Sequence, residues 1–157
     1  MCIRDSSYSM LNRWIETDGL LDAAADEGFG VIGFTALAQG LLTSRYLDGV
    51  PEGSRAARGG SFDRSWLTDE MLERLRGLNA IAEERGQTLA QLALVWALRD
   101  ERVTSLVLGA SSVEQLEQNV AALENPSLSA EELERIDALL AEGTGVDLWR
   151  SARLGTL

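Results

Sequence analysis

Along the chain, apolar positions fall into two rhythms, a helical one near 3.6 residues and short continuous runs. Asp18 to Glu27 has the first rhythm, with Leu21, Ala24 and Ala25 on one face and Gly28 placed to end the helix left-handed. Val31 to Thr35 is a short apolar, partly β-branched run that predicts a buried strand. Leu37 to Tyr46 is expected to hold one short helix, and Asp48 to Ser65, rich in Gly, Ser, Arg and Pro, an irregular loop. Thr68 to Arg85 places Met71, Leu75, Leu78 and Ala82 on a common stripe, closed by Gly86. Thr88 with Gln91 opens another helix as a capping box, with Leu89, Leu92, Ala93 and Trp96 inward.

Val103 to Leu108 is the second strand candidate. Ser112 and Gln115 cap a helix whose apolar set is Val113, Leu116, Val120 and Leu123, and Ser129 with Glu132 cap a last one carrying Leu133, Ile136 and Leu140. Helix-to-strand-to-helix passages predict an α/β fold with parallel strands. Two strands and a remnant near Tyr8 are too few for a covered parallel sheet, so uncovered edges are expected.

Composition then removes several chemistries. The 157 residues carry 25 acidic against 14 basic side chains, a formal net charge of −11, and neither lysine nor histidine occurs. An imidazole base, a His-ligated zinc and a lysine Schiff base are therefore unavailable within the chain. The acidic balance argues against nucleic acid and anionic membranes as partners. A single cysteine, Cys2, allows no internal disulfide. No apolar run reaches the ~18 residues of a membrane span, and the first residues lack the apolar core of a signal peptide, so a cytoplasmic protein is expected.

Gly28-Phe29-Gly30-Val31-Ile32-Gly33 spells G-x-G-x-x-G, with Asp48 twenty residues after Gly28. The dinucleotide fingerprint needs a strand before its glycines and a helix after them; here the order is reversed, which makes the match a decoy. Gly109-Ala110-Ser111-Ser112 lies between a strand end and a helix start. It reads either as an anion site at a helix N-terminus or as an ordinary turn capped by Ser112. Arg45, Arg55 and Arg58 form either a phosphate-holding group or the scattered charge of a solvated loop. Phe34 is either core or a ring face for a planar ligand.

Four stretches, in order, resemble the C-terminal half of the aldo-keto reductases, near the branch of the potassium-channel β subunits. They are Tyr8-Ser9-Met10-Leu11-Asn12-Arg13; Phe34-Thr35-Ala36-Leu37-Ala38-Gln39-Gly40-Leu41-Leu42-Thr43; Pro51-Glu52-Gly53-Ser54-Arg55-Ala56; and Gly109-Ala110-Ser111 with Gln115-Leu116 and Asn119. The resemblance implies an incomplete (β/α)8 TIM barrel of about three strands with flanking helices, its site at the strand C-termini. It implies an NADP(H) cofactor and a small carbonyl substrate. Phe34 would stack on the nicotinamide, and Thr35, Leu37, Ala38 and Gln39 would line the pyrophosphate. Gly109 would lie in the phosphate-binding turn. Arg45, Arg55 and Ser111 would face the adenosine side, and Gln115, Gln118 and Asn119 would border the adenine. Tyr8 and Arg13 would lie near the substrate pocket.

The family's Tyr acid, tuned by Lys and Asp with a His nearby, has no counterpart here, so no catalytic residue is assigned. Ala36 stands in place of a frequent proline, Gln118 in place of a common Glu, and Asp5 in place of a Gln beside the nicotinamide. Met1 to Ser6 does not read as the family's strand. Residues 1–7 are accordingly read as a prefix foreign to the family, residues 8–142 as the barrel portion and residues 143–157 as a tail. The alternative function is a non-catalytic binding or regulatory module resembling a channel β subunit or a helical interaction domain.

Overall fold

The computed structural model describes residues 3–51, 62, 64–141 and 146. Three strands, β1 (Ile3–Ser7), β2 (Gly30–Phe34) and β3 (Val103–Val107), form one parallel sheet in that order. Helices α1 (Trp14–Thr17) and α2 (Leu20–Asp26) join β1 to β2. Helices α3 (Asp69–Glu84) and α4 (Leu89–Ala97) join β2 to β3, and α5 (Val113–Val120) and α6 (Ala130–Leu140) follow. Parallel strands require a crossover of about a dozen residues or more, usually helical, since a tight turn cannot return the chain in the same direction.

The helix starts obey their sequence signals. Thr68 accepts from the Met71 amide at 3.1 Å, and complete capping boxes close at Thr88–Gln91 and Ser129–Glu132. Gly28 takes φ +68° just beyond α2, as a left-handed helix end needs. Gly33 of the decoy motif lies inside β2, where an added Cβ would stand 2.7 Å from Leu106 Cδ2. That glycine serves sheet packing.

Three expectations are corrected. Ile3–Ser7, read as outside any strand, is β1, and all five of its residues pair with β2. The run Ile-Arg-Asp-Ser-Ser shows no apolar alternation, because backbone pairing rather than side-chain burial makes it a strand. Leu37 to Tyr46 holds two separate 3₁₀ turns, Ala38–Gly40 and Ser44–Tyr46, instead of one helix. The apolar set of α5 and the turn after it is outside: Val113, Leu116, Val120 and Leu123 are each more than half exposed.

Pairing fixes which side chains share a face of the sheet. Asp5 pairs with Ile32 and Ile32 with Ser105; Ser7 pairs with Phe34 and Phe34 with Val107. Asp5, Ser105 and Val107 on that face are exposed. On the opposite face Ser6, Val31, Gly33 and Val103 are buried, while Arg4 at its β1 edge is exposed. The helices thus cover one face only, as in a segment cut from a barrel wall. The core under them includes Tyr8, Ile15, Leu75, Leu78, Ile81, Leu92 and Trp96.

A buried arginine fastens the outer layer. Arg85, its side chain 6% exposed, pairs with Glu132 at 2.7 Å and donates to the carbonyls of Asn125 and Ser127, both at 2.9 Å. Its Nε also holds Gln87 Oε1 at 2.8 Å, while the Gln87 amide donates to the Asn125 carbonyl at 3.2 Å. Because a buried guanidinium must find partners for all its donors, this set binds the end of α3 to the connection leading into α6.

Candidate nucleotide site at the strand ends

The C-terminal ends of β2 and β3 lie side by side, since Phe34 pairs with Val107. The segment Phe34 to Gln39 therefore leaves the sheet next to Leu108 to Ser112. At the first of these exits the backbone is strained: Thr35, Ala38 and Gln39 have φ of 58°, 47° and 57°. The left-handed region costs a non-glycine residue roughly 1–2 kcal/mol, so three within five positions require strong support. The Ala38 amide bonds the Thr35 carbonyl at 2.7 Å, Gly40 bonds Leu37 at 2.8 Å, and Leu42 bonds Leu37 at 3.2 Å. Ala36, Ala38, Leu41 and Leu42 are buried anchors for the same loop.

Thr35 also joins a small hydroxyl network absent from the sequence expectations. Its Oγ1 donates to the Phe34 carbonyl at 2.6 Å and lies 2.8 Å from Ser7 Oγ, which accepts from Asn12 Nδ2 at 3.1 Å. Ser7 could have been found only through β1, whose strand character the side-chain pattern hides. The network ties the end of β1 to the end of β2.

The expected residues divide into groups. Phe34, Thr35, Leu37 and Gln39 are half-buried and Ala38 is buried; Gly109, Ser111 and Gln118 are exposed, Gln115 is half-buried and Asn119 buried. Arg45 is exposed and makes no ion pair among the described residues. Arg55 and Arg58 lie outside the described residues.

At residues 111–115 the turn fulfils its capping role. Ser112 Oγ accepts from the Gln115 amide at 3.2 Å, and Gln115 Oε1 accepts from the Ser111 amide at 2.8 Å and from Ser111 Oγ at 3.0 Å. The Glu114 carboxyl is held below the usual carboxylate range by its own backbone amide and by the Ser112 hydroxyl. The donors that an external anion would use are therefore partnered within the chain.

Two atoms nearby are not. Gln39 Oε1 and Asn119 Nδ2 are buried with no hydrogen-bond partner. Leaving such a group unpaired costs ~1–3 kcal/mol, and both belong to residues expected at the cofactor. A bound nucleotide would give each a polar partner, so the acceptor of the loop, Gln39 Oε1, and the donor of α5, Asn119 Nδ2, fit the group.

Tyr8 and Arg13, expected at the substrate pocket, both pack against Trp96. The Tyr8 amide continues the ladder by bonding the Phe34 carbonyl at 3.0 Å. Alternation then turns its side chain to the face opposite Ser7, under the helices. Fully buried, its hydroxyl donates to Glu16 and accepts from Arg99 Nη1 at 2.7 Å. The Arg13 guanidinium stands 4.4 Å from the Trp96 ring centroid and pairs with Asp137 at 2.6 Å, while Arg99 stands 3.7 Å from the same ring. Burial first, and then the Glu16 hydrogen bond, push the Tyr8 phenol above its ordinary range. Among the described residues no group of three His, Cys, Asp or Glu is placed to hold a metal, and no helix is long and apolar enough to cross a membrane.

Parallel strands with helices on one face define part of a (β/α)8 barrel, and the strained loop lies at the strand C-terminal ends, the face at which such barrels bind ligands. The chain belongs to the aldo/keto reductase family, whose sequence model matches residues 3–141. It is 50% identical over 156 residues to an L-glyceraldehyde 3-phosphate reductase of Escherichia coli O157:H7, covering 97% of this chain and 45% of that protein. A putative voltage-gated potassium channel subunit beta of Schizosaccharomyces pombe is 38% identical over 138 residues, covering 85% and 40%. Among solved structures, the holo form of an aldo-keto reductase from Bacillus halodurans aligns with a TM-score of 0.66 at 29% identity, over 88% of this chain and 42% of that one. A glycerol dehydrogenase from Gluconobacter oxydans gives 0.68 at 25%, over 90% and 43%. The chain thus spans less than half the length of these relatives.

Proposed function

We propose that the chain forms the nucleotide-holding part of an NADP(H)-dependent aldo-keto reductase that reduces aldehydes or ketones to alcohols in the cytoplasm. The observation that carries this reading is the left-handed run at Thr35, Ala38 and Gln39 together with the two unpartnered polar atoms, Gln39 Oε1 and Asn119 Nδ2. Strained backbone of this kind persists at ligand clamps because it presents groups that a relaxed loop would turn away. The reduced nicotinamide, when bound, supplies the hydride that a carbonyl carbon accepts.

This chain's residues would bind and orient. Phe34 offers a half-buried ring at the end of β2. The loop backbone at Thr35 to Gln39 would face the phosphates, and Arg45, with Arg55, would answer the 2′-phosphate. The Ser7–Thr35–Asn12 hydroxyl network fixes the loop against β1.

Proton delivery to the product oxygen is a different matter. Tyr8 and Tyr46 are both buried, and the chain has no lysine or histidine. A phenol of pKa ~10 must be lowered to act near neutral pH, and burial with Glu16 raises that of Tyr8 in spite of Arg99. We therefore assign the acid to residues outside these 157, and expect this polypeptide alone to bind cofactor without turnover. A second reading, a regulatory module, is favoured by the likeness to the putative channel subunit.

The test is a fluorescence titration of the purified chain with NADPH and NADH. Saturable NADPH binding that weakens about 5- to 30-fold in Gln39→Ala and in Asn119→Ala, the loss expected for one ligand hydrogen bond, supports the reading. Arg55→Ala should weaken NADPH more than NADH. Binding unchanged in all three variants would overturn it.

A further inference from the structure

The hydrogen bonds that reach the strained exit from β2 have a direction. Thr35 Oγ1 donates to the Phe34 carbonyl at 2.6 Å. A hydroxyl has one proton to give, so the 2.8 Å contact between Ser7 Oγ and Thr35 Oγ1 is a donation from Ser7. Ser7 in turn accepts from Asn12 Nδ2 at 3.1 Å. Every donation runs from Asn12 through Ser7 and Thr35 to Phe34, and members of such a series strengthen one another. Because the proton of Thr35 is spent on Phe34, its side chain has none left for a phosphate oxygen.

Both ends of the series are anchored. Asn12 exchanges backbone bonds with Ser9 at 3.0 and 3.1 Å. Ser7 is buried, and Trp14 Nε1 donates to its carbonyl at 2.8 Å. The Phe34 carbonyl receives a second bond, from the Tyr8 amide at 3.0 Å. The plane of the Phe34–Thr35 peptide fixes ψ of the first residue and φ of the second. It is gripped here by β1 and the turn after it, at the residue where φ becomes 58°. Ala38 and Gln39, the other left-handed residues, are supported differently, by the loop's own amide bonds and its buried aliphatic anchors.

We infer that Ser7 and Asn12 are positioning residues for the nicotinamide end of the cofactor. Acting through Thr35, they set the direction in which the Phe34 ring leaves the sheet, while the phosphates are left to the backbone of the loop. The inference rests on the NADP(H) reading and divides its loop into two parts. The Phe34–Thr35 part depends on side chains of β1 and the turn after it; the Ala38–Gln39 part stands on the loop itself. Loss of the series should therefore be felt by the ring of the cofactor and not by its phosphates.

The probes are NADPH and 2′-phospho-ADP-ribose, which keeps every phosphate and lacks the nicotinamide ring. Both are titrated calorimetrically into the full chain. Asn12→Ala and Ser7→Ala should each weaken NADPH about fivefold, one hydrogen bond's worth, and change 2′-phospho-ADP-ribose by less than about twofold. Ser7→Thr keeps the hydroxyl and should keep NADPH affinity. Asn12→Asp nearly keeps the shape but has no proton for Ser7 and draws the Ser7 proton away from Thr35, so it should lose as much as Asn12→Ala. Repulsion by the added carboxylate would weaken both ligands alike, which the comparison separates. Circular dichroism checks each fold, and Asn12→Asp decides the matter if an alanine variant fails to fold. Equal losses for the two ligands, or NADPH affinity unchanged in Asn12→Asp, would overturn the inference and leave the cofactor reading standing. So would an unaltered chain that binds the two ligands equally. An unaltered chain that binds neither would overturn the cofactor reading and this inference with it.

Discussion

Tyr8 and Arg99, 91 residues apart in the chain, meet in the core, where Arg99 Nη1 donates to the phenol oxygen at 2.7 Å. Glu16 closes the triangle by accepting from both partners, from Arg99 Nη2 at 2.8 Å. Three elements are tied by this contact: the end of β1, helix α1 and the residues just after α4. The stacking of Arg99 and Arg13 on Trp96 extends it to α6 through Asp137.

The raised phenol gives a pH signature. A phenol that titrates near pH ~10 in the unfolded chain ionises only at higher pH when folded. The unfolded state therefore loses its proton first, and this contribution to stability is complete below pH ~10 and declines above it. In a Tyr46→Phe background, absorbance at alkaline pH should show Tyr8 ionising only above the ordinary phenol range, together with unfolding. Ionisation at the ordinary pH with the fold intact would contradict the buried triangle.

Removing the hydroxyl tests the same contact differently. Tyr8→Phe keeps the ring against Trp96, 5.4 Å between centroids, and leaves Arg99 paired with Glu16. The expected cost is ~1–2 kcal/mol in urea denaturation, one buried hydrogen-bonded hydroxyl.

The loop after β2 predicts a contrast between two substitutions at one position. Gln39 at φ 57° suits glycine and opposes a β-branched residue. Gln39→Val should be less stable than Gln39→Gly by ~2 kcal/mol, read from denaturant midpoints. Both should weaken NADPH, since both remove Oε1.

Asn119 predicts stability and binding moving in opposite directions. Its buried amide nitrogen has no partner, so Asn119→Leu should stabilise the free chain by ~1 kcal/mol while weakening NADPH. A melting curve and a titration on one preparation check both. Destabilisation would mean that the amide is satisfied in solution.

Arg85 should matter more than its surface-like sequence context suggests. Arg85→Met keeps much of the aliphatic stem but leaves Glu132 without its cation and the Ser127 carbonyl without this donor, while the Asn125 carbonyl keeps Gln87. Removing one partner of a buried pair costs ~3–5 kcal/mol when burial is complete. Glu132 is 20% exposed at its side chain, so ~2–3 kcal/mol is expected in urea denaturation.

Legibility followed the range of the forces involved. Caps and helix periodicity act within four residues, and Thr68, Thr88, Ser112 and Ser129 each start a helix where expected. The strands Gly30–Phe34 and Val103–Val107 are apolar enough to be read from composition. β1 was missed because its five residues include four polar ones and its strand state rests on pairing with β2. Resemblance singles out Thr35, Leu37, Ala38 and Gln39, but nothing in their order reveals that three of them are left-handed. That conformation is imposed by buried anchors and by hydrogen bonds to the loop's own carbonyls.

By itself the sequence determined four helix starts, two of the three strands and the absence of an imidazole or a lysine amine, because local propensity and composition need no partner. Tertiary structure alone decided the directions in which side chains point. Tyr8 went under the helices by strand alternation, Gln39 Oε1 and Asn119 Nδ2 were buried without partners, and the aliphatic side of α5 was turned outward. The reason is that a periodic pattern marks which residues share a face, whereas only packing against other elements determines what that face meets.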